Sequence, residues 1–320
     1  MRSNITMKAL IIGVTGFVGK YLVDELSGAG WDVSGTRLPT ESADLDIPVY
    51  GLDILDAASV KNLLRKVSPD HVFHLAAQSS VAISWKQPAL TVDVNIKGVV
   101  NLLEAVREME TPPRVLLIGS GDEYGYIQPE ELPICEDTAL RPGNIYACTK
   151  IAQGMLGQIY ARAYGLEIVI IRAFNHIGRG QTDTFVVPGF CKQIAEIESK
   201  NDKGYIKVGN LEVKRDFTDV LDIVKAYRLL AEKGESGEIY NVGSGNSIAI
   251  ADILEILIKL SNVKIIVEQD PQRMRPSDTP EVRADISKLV ECTGWKPEIA
   301  LEDTLRDVLE EWRGHKGNNG

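Results

Sequence analysis

Apolar residues fall into two alternating patterns along the chain. Short unbroken runs, such as Lys8-Ala9-Leu10-Ile11-Ile12 and Arg114-Val115-Leu116-Leu117-Ile118, read as strands buried on both faces, the habit of a parallel sheet. Between them, apolar residues recur at helical spacing, as at Leu22, Val23 and Leu26, and predict helices that cover the sheet. The pattern predicts strands over 8–12, 32–37, 49–54, 71–77 and 114–118, and helices over 57–67, 88–109 and 145–164. A further strand over 238–242 is expected to return to the same sheet, and 248–260 reads as a helix of a smaller lobe. Strand–helix alternation from 7 to about 172 predicts an α/β fold, a doubly wound parallel sheet of Rossmann type.

The first strand runs straight into Gly13-Val14-Thr15-Gly16-Phe17-Val18-Gly19 and then into a helix. Gly13 suits a sharp turn off the strand, Gly16 a close approach of backbone to a pyrophosphate, and Gly19 tight packing of the helix. The helix start then turns its free N–H groups and positive dipole end toward the phosphates. This is the pattern of a dinucleotide site. The second strand ends in Thr36-Arg37, where an acidic residue would bind a ribose 2′-hydroxyl; an arginine suits a 2′-phosphate, so NADP(H) is favoured over NAD(H). Asp53 ends the third predicted strand, and the small Ala76 and Ala77 leave room beside the fourth. His71 and His74, on that fourth strand, read as packing residues. Asn95 lies inside the 88–109 helix.

The chain of 320 residues is 44% hydrophobic and 25% charged, sufficient for one large core and a smaller one. Its net charge of −10 argues against a nucleic-acid surface. Four cysteines, Cys135, Cys148, Cys191 and Cys292, show no paired or metal-like spacing and read as reduced thiols. No apolar run reaches spanning length and residues 1–6 lack a signal-peptide core, so the expected location is cytoplasmic, without membrane contact.

Ser120 follows the fifth strand, and Tyr146 and Lys150 lie four apart on one face of the next helix. The glycine loop, Ser120 and Tyr146-x-x-x-Lys150 together resemble the extended short-chain dehydrogenase/reductases, the NAD-dependent epimerase/dehydratase family, that act on nucleotide sugars. The likeness continues through Arg172-Ala173-Phe174-Asn175-His176-Ile177-Gly178, Tyr240-Asn241-Val242-Gly243 and Thr293-Gly294-Trp295-Lys296-Pro297, and covers nearly the whole chain. The run from Gly209 to Asp219 is most similar to the GDP-sugar branch.

The resemblance implies an enzyme with Tyr146 as acid/base, Lys150 as its electrostatic partner, Ser120 as a donor to the sugar C4 oxygen, and Asp122 as a further candidate acid. Lys150 is expected to lower the phenol pKa from its usual value near about 10. Cofactor contacts are implied for Gly13, Gly16, Phe17, Val18, Gly19, Thr36, Arg37, Asp53, Ile54, Leu75, Ala76, Ala77, Asn95, Tyr146, Lys150 and His176. Substrate contacts are implied for Ser79, Ser120, Asn175, Val186, Gly209, Asn210, Arg215, Arg275 and Asp278, with Arg215 and Arg275 clamping a diphosphate.

The implied reaction is reduction of the 4-keto group of GDP-4-dehydro-6-deoxy-D-mannose to GDP-D-rhamnose, with 4,6-dehydration and then 4-epimerisation as alternatives. The implied organisation is a cofactor unit over 7–172 plus about 218–245, a substrate unit over about 173–217 plus 246–313, and a disordered tail over 314–320. The helices over 88–109 and 145–164 are expected to pair with a second copy in a homodimer.

Overall fold

The computed structural model describes residues 6–200, 203–273 and 279–314. Strands β1 (Lys8–Ile12), β2 (Asp32–Arg37), β3 (Val49–Gly51), β4 (His71–His74), β5 (Arg114–Ser120), β6 (Ile168–Ala173) and β7 (Ile239–Val242) form one sheet in the spatial order β7-β6-β5-β4-β1-β2-β3. Every pairing in it is parallel. The chain lays β1, β2 and β3 outward in one direction, then returns to place β4 on the other side of β1. That reversal opens a crevice beyond the carboxyl ends of β1 and β4, where ligands of such sheets bind.

Eight helices carry the rest of the argument: α1 (Phe17–Gly28), α2 (Ala57–Val67), α3 (Gly98–Arg107), α4 (Ile145–Tyr164), α5 (Val186–Glu198), α6 (Val220–Lys233), α7 (Ile250–Lys259) and α8 (Leu301–Gly314). On one face of the sheet α1 and α6 bury Leu22, Leu26, Ile223, Tyr227 and Leu230. On the other, α2, α3 and α4 bury Leu64, Leu102, Leu103, Val106 and Tyr160. Covered on both sides, β4 and β6 are buried at every residue, which is why their sequences alternate so little. Each fully buried leucine or isoleucine contributes roughly 1.5–3 kcal/mol. α4 begins where the Asn144 side chain accepts the Ala147 N–H at 2.8 Å, and ends at Gly165 with φ 68°.

A second core joins α5, α7 and α8 to a parallel ribbon of Gly204–Val208 and Ile265–Gln269, burying Phe190, Ile194, Ile206, Leu254, Leu257, Leu305 and Val308. Beside it, the buried carboxylate of Asp216 accepts the N–H groups of Ser244 (2.7 Å), Gly245 (3.0 Å) and Ala284 (3.1 Å) and the Ser244 hydroxyl (2.6 Å).

Several expected boundaries move for local reasons. The strand expected over 49–54 stops at Gly51, because Asp53 turns the chain by accepting the Leu55 N–H at 2.9 Å. The strand expected over 71–77 stops at His74, because the amides of Leu75 and Ala76 both converge on the Ile12 carbonyl. The helix expected over 88–109 has three parts: Pro88–Val92, a π-helical turn at Asp93–Lys97, and α3 ending at Arg107. Ile248–Ala249 pairs with Lys214–Arg215 before α7 begins. α8 continues to Gly314, where the tail was expected to start; residues 315–320 lie outside the described residues. All four cysteines are free.

Candidate active site

The glycine turn sits at the reversal point. Gly13 has φ +89°, and a Cβ there would lie 2.8 Å from the Ala76 backbone, so conformation and space both demand glycine. At Gly19 a Cβ would lie 2.0 Å from the Val14 carbonyl oxygen, which lets α1 start flush against the turn. Gly16 differs: the nearest atom to a Cβ is the Gly13 carbonyl at 3.5 Å, and the space over the helix start is open. A cleft of about 270 Å³ lies there, lined by Gly16, Phe17, Lys20, Ser42, Leu45 and Arg179. Backbone amides, a helix N-terminus and an open approach fit a dinucleotide diphosphate.

Other expected cofactor contacts divide by orientation. Thr36 is buried, and its hydroxyl accepts the Gly13 N–H at 3.1 Å; it braces the turn rather than facing a ribose. Arg37 points outward, with Nη1 donating to the carbonyls of Leu38 (3.0 Å), Pro39 (3.2 Å) and Glu41. Glu41 in turn accepts the Thr15 hydroxyl at 2.7 Å, tying the loop after β2 across the glycine turn. Asp53 is exposed, whereas Ile54 is buried and packs under Gly98, where a Cβ would come within 2.8 Å of it. Val18 and Leu75 pack against the core on the α1 side. The His176 ring stacks on Phe17 at 6.0 Å and 5° between planes. Asn95 is buried, and its amide is taken by Gln78 (2.8 and 3.1 Å) and the Thr149 hydroxyl (2.9 Å). It braces the segment after β4 against α4.

Ser120, Tyr146 and Lys150 converge at the carboxyl end of β5. The Tyr146 hydroxyl is hydrogen-bonded to the Ser120 side chain, whose oxygen also accepts the Asp122 N–H at 3.2 Å. Lys150 is 3% exposed, and its ammonium donates to the Ile118 carbonyl at 2.7 Å and to Gln153 Oε1 at 3.1 Å. Burial lowers its pKa to about 8, with Glu123 pulling the other way. The Tyr146 phenol is raised, not lowered: burial dominates and the charge of the exposed Asp122 adds to it. Here the expectation from sequence is corrected, because the Lys150 ammonium is engaged by the strand end and burial governs the phenol. Tyr146 is therefore protonated at neutral pH and poised to donate.

Glu123 was missed by the sequence reading. It is 1% exposed; Oε1 accepts the Ser120 N–H at 2.8 Å and Oε2 accepts Arg172 Nε at 2.9 Å. Burial pushes its carboxyl up, while Arg172 and the Ser120 amide pull against that. Arg172 Nη1 also donates to the Tyr124 hydroxyl (3.1 Å) and the Glu136 carbonyl (3.0 Å), and the Tyr124 hydroxyl donates to Asn241 at 2.6 Å. The available signal was Arg172 itself, a charge set between the apolar run Ile168-Val169-Ile170-Ile171 and Ala173-Phe174.

Of the expected substrate contacts, Ser79, Asn175 and Val186 are exposed, and Gly209 and Asn210 are partly buried. Asn210 accepts the Glu212 N–H at 3.0 Å. Arg215 Nη1 donates to the carbonyls of Lys214 and Thr279, both at 2.8 Å. Arg275 and Asp278 lie outside the described residues. Among the described residues no helix is long and apolar enough to cross a membrane, and no cluster of side chains is placed to hold a metal ion.

Comparison with known proteins fits this geometry. The family profile described as GDP-mannose 4,6 dehydratase matches residues 10–308. The chain is 36% identical to a GDP-6-deoxy-D-mannose reductase of Pseudomonas aeruginosa, over 96% of this chain and 98% of that protein. It is 29% identical to GDP-mannose 4,6 dehydratase 2 of Arabidopsis thaliana, over 95% of this chain and 86% of that one. A solved structure of RMD from Pseudomonas aeruginosa complexed with NADPH superposes with a TM-score of 0.87 at 34% identity, covering 97% of this chain and all of that one.

Proposed function

The chain belongs to the GDP-mannose 4,6-dehydratase family of extended short-chain dehydrogenase/reductases, and from that premise we propose that it reduces the 4-keto group of GDP-4-dehydro-6-deoxy-D-mannose to give GDP-D-rhamnose. It is an NAD(P)-dependent nucleotide-sugar oxidoreductase. The glycine turn would hold the diphosphate of the dinucleotide and Lys150 the adjacent ribose; when bound, the dinucleotide supplies the hydride. Tyr146 gives its proton to the C4 oxygen as the carbonyl becomes a hydroxyl. Ser120, hydrogen-bonded to the same phenol, orients that oxygen and offsets its growing charge. The cofactor unit over 7–172 and 218–245, and the substrate unit over 173–217 and 246–313 with Arg215 and Arg275 on the diphosphate, are part of this proposal, as is a cytoplasmic setting.

What supports reduction over dehydration is the greater likeness to the reductase, 36% identity against 29% for the plant dehydratase, and the strip after Ser120 supplies the test. Dehydration needs a base for the sugar C5 proton. Glu123 is buried and committed to Arg172 and the Ser120 amide, leaving Asp122 as the exposed acid of the strip. Reduction needs only the hydride and the Tyr146 proton. Asp122→Asn should therefore keep most of the turnover on the 4-keto sugar. A loss of roughly a hundredfold, together with 4-keto product formed from GDP-mannose by the unmutated protein, would make the enzyme a dehydratase. Conversion of GDP-mannose to its C4 epimer would make it an epimerase. Product analysis by NMR separates the three.

NADPH preference is proposed from Arg37 at the end of β2. Arg37→Ala should weaken NADPH binding far more than NADH binding, because only NADPH carries the 2′-phosphate. Equal losses in a fluorescence titration would remove Arg37 as the reader.

A homodimer is proposed from an apolar surface. Met155 (58% exposed) and Ile159 (46%) lie on one side of α4, close in sequence to Tyr164 (51%), and Leu90 and Val92 (each 42%) are exposed on the neighbouring helix. Four helices from two copies would cover such a stripe. Sedimentation should give a dimer at micromolar concentration, and Met155→Glu with Ile159→Glu a monomer.

A further inference from the structure

We propose that Glu123 is a positioning residue of this site: locked by Arg172, its carboxylate fixes the amide of Ser120 and lends buried negative charge to the Lys150 ammonium. The proposal rests on reading Ser120, Tyr146 and Lys150 as the reaction centre. Three observations carry it. Both carboxylate oxygens are engaged, Oε1 by the Ser120 N–H at 2.8 Å and Oε2 by Arg172 Nε at 2.9 Å, so the group has one orientation. Oε1 fills the space where a Gly119 Cβ would stand, 2.3 Å away, so glycine there admits the carboxylate against the strand. Lys150 reaches the same strand end through the Ile118 carbonyl at 2.7 Å. Carboxylate and ammonium therefore flank one three-residue stretch, Ile118-Gly119-Ser120, in a buried setting where charges interact strongly.

The groups facing Lys150 and its phenol come from several elements. Glu123 favours the ammonium, and burial opposes it. The buried ring of His74, on β4, lies within electrostatic reach of Lys150. Tyr146 lies one turn back on α4; Asp122 and Glu123 both hold its phenol protonated, and Tyr227 on α6 interacts with it. Arg172 on β6 acts through Glu123. Loss of the Glu123 charge works in one direction on both reaction groups, because the ammonium and the phenol each lose their protons at lower pH. A buried acid that served packing alone would change the amount of folded enzyme without moving that titration.

The test compares Glu123→Gln, which removes the charge and keeps the size, with Glu123→Asp, which keeps the charge and withdraws it by one methylene. Two readouts are taken from pH 6 to 10: kcat for the 4-keto sugar, and NADPH affinity by fluorescence, which needs no sugar at all. Glu123→Gln should move the alkaline limb of both profiles down by about one pH unit or more. Glu123→Asp should leave the limb in place while lowering kcat, because Ser120 loses its brace. Should Glu123→Gln fail to fold with Arg172 unpaired, the double variant Glu123→Gln with Arg172→Gln removes both charges and should show a smaller displacement in the same direction, because loss of the more distant Arg172 cation offsets part of it. An unmoved limb in a folded charge-removing variant overturns the proposal. An unmutated protein that binds NADPH but does not reduce the 4-keto sugar overturns the functional reading instead, and the NADPH profiles still judge Glu123.

Discussion

Tyr146→Phe should lower kcat for reduction of the 4-keto sugar by roughly a thousandfold, the scale of a lost general acid, and leave NADPH affinity largely unchanged. In the proposed reaction the phenol is the proton donor, and the ring that packs among its neighbours survives the change. Tyr146 is 9% exposed and hydrogen-bonded to Ser120, and burial and Asp122 hold its proton in place, so the phenol enters each reduction protonated and, once it has given that proton to the C4 oxygen, takes another from solvent before the next. Stopped-flow measurement of NADPH oxidation reads the chemical step directly. Retention of a tenth or more of the wild-type rate would show that solvent or another group delivers the proton.

Gly19→Ala should be the most damaging single-methyl change outside the chemistry. The added Cβ would meet the Val14 carbonyl oxygen at 2.0 Å and the Val14 carbonyl carbon at 2.5 Å. Both are backbone atoms of the glycine turn and have no rotamer through which to yield, so α1 must lift from the sheet. A loss of about 3 kcal/mol is expected, which lowers the melting temperature by roughly 5–10 °C, and NADPH affinity should fall with it because the helix start moves. Gly28→Ala, at the other end of α1, is the control: a Cβ there meets nothing within 4 Å, and the alanine should be neutral or slightly stabilising. Equal melting temperatures for the two variants would show that the turn is more compliant than its contacts imply.

The large sheet was legible in the sequence because strands buried on both faces cannot alternate, and the runs at 8–12, 114–118 and 238–242 had nowhere else to go. Gly13 and Gly19 were legible for a related reason, since their spacing records where backbone meets backbone. Direction was less legible than position. Thr36 and Arg37 were both assigned to the cofactor, yet adjacent residues of a strand face opposite ways, and Thr36 turns inward to the Gly13 amide. Asn95 is a similar case: partners 17 and 54 residues away take its amide, and nothing in its own helix marks that use. The Glu123–Arg172 pair joins residues 49 apart, and nothing local in Gly-Asp-Glu-Tyr-Gly distinguishes the acid that turns inward from the one that faces solvent.

The carboxylate of Asp216 has a consequence for how the protein breathes. It gathers amides from Ser244 and Gly245, 28 and 29 residues on, and from Ala284, 68 residues on. These three protons share one acceptor group, so movement of the Asp216 carboxylate exposes all three at once. In hydrogen–deuterium exchange they should report a single cooperative opening, and Asp216→Asn should release all three together while the amides of β4 and β6 keep their protection. Arg215, proposed above as a diphosphate contact, stands immediately before Asp216 in the chain, so opening at that carboxylate would free the arginine's backbone as well.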